Sequence, residues 1–105
     1  MLNREFEISK KVLKKSNREI EIVMIDGKIS YVFNNDYILR TYNDQIDTFS
    51  FKINKIEMDE VQVNDESLVN YLELIINNEQ QEQSFTMYKN YGAIVQIEKE
   101  NGDRY

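Results

Sequence analysis

The amino-acid sequence predicts an α+β fold: an antiparallel β-sheet of about five to seven strands, a meander plus a C-terminal hairpin, packed on one α-helix. Three observations carry this. Apolar and polar residues alternate between 19 and 53, interrupted by turn signals. Apolar residues recur at helical spacing between 65 and 80. A second alternation runs from 85 to 97 around Asn90-Tyr91-Gly92. At 105 residues the whole chain, 1–105, reads as one domain.

Residues 3–15 admit two readings. Phe6, Ile8 and Val12 share one face of a strand, which is the favoured reading. Leu2, Phe6 and Leu13, with Lys11, Lys14, Lys15 and Arg18 outside, equally suit a short helix. Residues 19–33 read as a hairpin around Asp26-Gly27, with Met24 opposite Ile29, Ile22 opposite Tyr31 and Ile20 opposite Phe33. Asn34-Asn35-Asp36, read as a loop, sets Phe33 against Tyr37 and Tyr31 against Leu39. Asn43-Asp44-Gln45 breaks the pattern again. Phe49, Phe51 and Ile53 then alternate with Ser50, Lys52 and Asn54 as a fourth strand whose aromatic rings belong to the core.

The helix is expected from Asp65 to about Gln80. Leu68, Val69, Leu72, Ile75 and Ile76 would form its apolar face, and Glu66, Asn70, Glu73 and Asn77 its polar stripe. Asn64 or Asp65 can cap its start. Residues 79–83 then form a polar linker. In the last hairpin Met87 meets Val95 and Phe85 meets Ile97.

Several chemistries have no residues to run on. The chain has no histidine and no cysteine, which removes imidazole bases, thiol nucleophiles, disulfides and zinc sites of His and Cys. Its three glycines, Gly27, Gly92 and Gly102, write neither a phosphate loop nor a dinucleotide fingerprint. Carboxylates remain. Asp44 with Asp47, or Asp59, Glu60 and Asp65, could offer oxygen ligands, but their spacing matches no calcium loop. The expectation is no catalytic residue, no metal, no cofactor and no enzyme. The longest aliphatic run, 22–25, is far short of a bilayer span, and the first residues lack the order of a secretory signal. A cytoplasmic protein of a bacterial host cell is expected.

The charge is unevenly spread. Net charge is −6, yet residues 1–18 sum to +4 and residues 56–88 to −8. The second stretch holds Glu57, Asp59, Glu60, Asp65, Glu66, Glu73, Glu79 and Glu82 and no base. These acids are the candidate partner-binding residues, and the partner they suit is a basic protein surface. Nucleic acid and anionic membrane are disfavoured as main partners because both would be repelled. Lys10, Lys11, Lys14, Lys15 and Arg18 could touch phosphate. The favoured reading packs them against the acidic region. Carboxylates two apart on a strand, as in Glu19 with Glu21 and Glu57 with Asp59, lie about 6.6 Å apart. That spacing resembles the repeat of phosphates along a nucleic-acid strand.

Asn, Ile, Lys, Glu and Tyr are abundant, while Pro, His, Cys and Trp are absent. This usage looks like that of small proteins carried by phages and mobile elements of low-GC Gram-positive bacteria. In size, charge and α+β pattern the chain resembles anti-CRISPR inhibitors of single-effector, RNA-guided nucleases. The resemblance is one of type and rests on no shared motif, so it transfers no residue. It implies a stoichiometric, non-enzymatic inhibitor of a CRISPR nuclease, which has Arg- and Lys-rich nucleic-acid channels. An immunity protein against a basic toxin is the alternative. A divalent-metal or ligand-binding accessory protein is a third.

Overall fold

The structure, a computed structural model, describes residues 1–91. It opens with helix α1 (Leu2–Ile8). Eight strands follow among the described residues: β1 (Lys11–Ser16), β2 (Glu19–Met24), β3 (Gly27–Phe33), β4 (Ile38–Tyr42), β5 (Gln45–Phe49), β6 (Lys52–Val63), β7 (Glu66–Asn78) and β8 (Gln81–Tyr88). They form one antiparallel sheet in the order β5-β4-β3-β2-β1-β7-β6, with β8 also on β7. The sheet curls, because Phe49 of β5 and Phe85 of β8, remote in strand order, line one cleft.

Three hairpins close on residue pairs with positive φ: Asn43-Asp44 (50°, 65°), Asn64-Asp65 (48°, 66°) and Glu79-Gln80 (51°, 68°). Paired left-handed residues match the right-handed twist of the flanking strands. Asn and Asp tolerate that conformation, while Glu and Gln adopt it with no such local advantage.

The registers differ from those expected. Around Ile25-Asp26, Ile22 pairs with Ile29 and Ile20 with Tyr31. The slip is two residues, so the apolar face survives. Between β3 and β4, Phe33 pairs with Ile38 and Tyr31 with Arg40. This slip is one residue, and it reverses β4: Ile38 enters the core, Tyr37 is exposed, and Arg40 lies beside Tyr31. The expected fourth strand at 49–54 is divided between the end of β5 and the start of β6.

The expected helix at 65–80 is strand β7. It pairs with β6 on one edge and with β1 and β8 on the other. Its helix-like spacing comes from a bulge. Glu60 pairs with Val69 and Asp59 with Tyr71, leaving Asn70 as the extra residue. Leu68 therefore faces one side of the sheet, and Val69, Leu72, Leu74 and Ile76 the other. Conversely, the favoured strand at 3–15 begins as helix, its residues 3–8 lying in α1, and only Lys11–Ser16 is extended. The Ser9 N–H donates to the Glu5 carbonyl and its hydroxyl to the Phe6 carbonyl, which ends the helix.

The main core lies on the inner face, between the curled sheet and α1. Phe6, Val12, Ile20, Ile22, Tyr31, Phe33, Leu72 and Ile76 are buried there, and Phe49 and Phe51 pack against it. Full burial of a side chain such as Phe6 contributes about 1.5–3 kcal/mol. A smaller cluster on the outer face joins Val63, Leu68 and Tyr91, with Leu13 and Val61 against it. Helix α1 is tied down by Glu5, whose carboxylate accepts from the Tyr31 hydroxyl and the Arg40 guanidinium. The partner strand expected for β8 at 93–97, with Gly92, lies outside the described residues.

Candidate interaction surface

Alternation along each strand, carried across the register, assigns each acid a place. Four rows cross the outer face of β6, β7 and β8: Asp59–Tyr71–Tyr88, Glu57–Glu73–Thr86, Lys55–Ile75–Ser84 and Lys52–Asn77–Glu82. Glu57, Asp59 and Glu73 are thus contiguous, and Glu82 lies further along the same face. Glu66 is on this face too, beyond the bulge. Glu60 is turned to the inner face. Asp65 and Glu79 sit in the turns at opposite ends of β7, about 45 Å apart by strand rise. The polar stripe expected on a helix is therefore a sheet face, and it gathers part of the acid set.

Bases from elsewhere in the chain neutralise much of it. The Lys55 ammonium stands 2.7 Å from Glu73 and 3.6 Å from Glu57. Its hydrogen bond to Glu73, then the charge of Glu57, raises the Lys55 pKa, and the same bond lowers that of Glu73. Lys11 meets Glu66 at 2.7 Å, and Lys14 meets Glu60 at 3.3 Å. Glu60 is held below the ordinary carboxylate range by Ser67 first and Lys14 next. Lys15 and Lys28 both pair with Glu21, so one member of the Glu19/Glu21 pair is engaged internally. Among the described residues Asp59 makes no ion pair. The Glu57–Asp59–Glu73 patch keeps a net negative charge beside one shared lysine.

Two tyrosines complete the patch. The Tyr71 and Tyr88 rings are 5.1 Å apart, and Tyr88 is 73% exposed. Burial first, then the Glu73 charge, raises the Tyr71 hydroxyl pKa. Exposed tyrosine beside carboxylates suits a protein contact, since tyrosine adds contact area at low entropic cost. Sequence reasoning missed this pair. Its signal was the strand reading of 66–78, in which Tyr71 and Tyr88 become cross-strand partners.

Two openings on the inner face are formed by the described residues. One is an apolar cleft of about 300 Å³ between α1, β5 and β8, lined by Leu2, Phe49, Phe51, Leu74, Ile76 and Phe85 among others. The other is a groove of about 270 Å³ lined by Lys14, Asn17, Arg18, Ile56 and Met58. Asp59, Glu60 and Asp65 are not brought together, and Asp47 pairs with Arg40 at 3.6 Å. Among the described residues no group of three or more carboxylates is placed to hold a metal ion. No helix of the described residues is long and apolar enough to cross a membrane.

No protein-family model, no curated protein and no solved structure matches this chain.

Proposed function

We propose that this protein is a non-enzymatic inhibitor from a phage or mobile element that docks its β6–β8 outer face on a basic protein surface. The target we assign is the nucleic-acid channel of an RNA-guided nuclease, where Arg and Lys line the path of the duplex. The observation that carries the reading is the Glu57–Asp59–Glu73 patch beside the exposed Tyr88. Its carboxylates meet cations, and its tyrosines supply apolar contact that excludes water. A surface of this kind associates quickly and is salt-sensitive.

The test is a cleavage assay with purified protein and guide-loaded nucleases from Gram-positive hosts. Inhibition at near-equal molar ratio is expected, and the triple variant Glu57→Lys, Asp59→Lys, Glu73→Lys should lose it. Absence of binding to every such nuclease, with or without guide, overturns the reading. Capture of a basic toxin instead moves the same surface to an immunity role.

A further inference from the structure

Strand β6 is the end of the strand order, and no strand pairs with its far edge among the described residues. The direction of its main-chain groups follows from its neighbours. The Lys89 N–H donates to the Asn70 carbonyl, so β7 turns the even-numbered residues beyond its bulge toward β8. Its odd-numbered residues, Tyr71, Glu73 and Ile75, then bond to Asp59, Glu57 and Lys55. The main-chain groups of Ile56 and Met58 therefore point away from the sheet. The bulge keeps Glu60 in the same phase. A second register shift, at Asn54, changes the parity below it, so the odd-numbered Ile53 also points its N–H outward, where it donates to the Asn35 carbonyl.

We propose that this outer edge of β6, from Ile56 to Glu60, is a docking site for an extended segment of a partner protein in which basic and apolar residues alternate. Three features select that occupant. Among the described residues the edge offers unpaired donors and acceptors, on which an added strand gains main-chain hydrogen bonds. Glu57 and Asp59 project on the outer face, so an antiparallel newcomer meets them with Lys or Arg. Ile56 and Met58 project on the inner face, where the groove shared with Lys14, Asn17 and Arg18 has room for the newcomer's apolar side chains. The acids also select against a second copy of this chain, because edge-to-edge pairing of β6 would bring like charges together. This inference rests on the acidic face being the partner-binding surface and specifies how the partner is held.

The test uses the intact protein and a synthetic peptide of alternating Lys and Val, about eight residues long. Hydrogen exchange read by NMR reports the Ile56 and Met58 amides, which should slow about tenfold or more on binding. In the antiparallel register the Val main-chain groups face β6 and those of Lys face away. N-methylation of the Val residues should therefore weaken binding about tenfold or more, and N-methylation of the Lys residues should leave it unchanged. Unchanged exchange at Ile56 and Met58 with peptide bound, or equal binding of the two methylated peptides, overturns the inference. So does protection that appears without peptide and grows with protein concentration, which would mean self-pairing. The two readings separate cleanly. Salt-sensitive binding lost in the triple Lys variant, without protection at β6, keeps the acidic face and removes the edge. Protection at β6 that ignores salt and charge reversal keeps the edge and removes the electrostatic reading.

Discussion

Glu57 and Glu73 are direct cross-strand partners on the outer face, and the Lys55 ammonium lies within 3.6 Å of both carboxylates. Like charges opposite one another destabilise a sheet. One lysine thus offsets a repulsion that the binding patch would otherwise impose on the fold.

Replacing Lys55 by Gln should expose that conflict. The urea midpoint should fall at low salt and return to that of the parent protein at high salt, where surface charges are screened. Affinity for a basic partner should rise in the same variant, because the patch gains net negative charge. A midpoint loss that persists at high salt would mean that Lys55 acts through packing.

Tyr91 joins two strands that diverge. The β1–β7 register holds only at Leu13 and Leu68. Beyond it, the Tyr91 hydroxyl accepts from the Val12 N–H at 3.0 Å and donates to the Val69 carbonyl at 2.8 Å. Tyr91→Phe should cost about 1–3 kcal/mol in denaturant unfolding, since it leaves buried main-chain groups unpaired. A change below about 0.5 kcal/mol would show that water replaces the hydroxyl.

Alkaline pH should act on the same residue. Burial pushes the Tyr91 hydroxyl up to about 12 from an ordinary 10.0, although its Val12 hydrogen bond pulls the other way. Tyr31 is also pushed up, by burial first and then by Glu5. A folded pKa above the unfolded one means the stabilisation is complete below about pH 10 and is lost as pH rises toward the folded values. Urea midpoints should decline in that window, and Tyr91→Phe should flatten part of the decline. Glu21 gives the acid arm. Burial raises its carboxyl, but Lys15 and Lys28 outweigh burial and leave it lowered. Its contribution is present above about pH 4.5 and lost as pH falls.

The Glu79-Gln80 turn offers a stabilising change. Both residues have positive φ, 51° and 68°, without the side chains that favour it. The double variant Glu79→Asn, Gln80→Gly should raise unfolding free energy by about 1–2 kcal/mol. Asp65→Gly in the Asn64-Asp65 turn should give a smaller gain, because that turn already begins with Asn. No gain in the double variant would imply that the β7–β8 turn is held by contacts beyond its own backbone.

Much of the sheet was legible because alternation survives errors of even register. Ile20, Ile22, Ile29, Tyr31 and Phe33 face the core although their pairing lies two residues from the expected one. The one-residue slip at β4 had no such protection, and Arg40 took the inward place expected of Leu39. Strand β7 was misread for a more specific reason. Its bulge at Asn70 inserts one residue into a two-residue period, so Leu68, Val69 and Leu72 fall at helical spacing. Asn64-Asp65 deepened the ambiguity, since the same pair caps a helix or turns a hairpin.

By itself the sequence determined which residues prefer to be buried, the turns near Asp26, Asn35 and Asp44, and the sign of the charge between Glu57 and Glu82. Those are local properties of side chains, and they hold in any fold. The tertiary structure alone decided which acids share a face, which are neutralised by Lys11, Lys14 and Lys55, and that Tyr71 and Tyr88 stand beside Asp59. Those depend on register across strands up to 55 residues apart in the chain, as between Lys11 and Glu66. Side chains in a strand repeat every second residue, so a single bulge or slip changes every neighbour that follows.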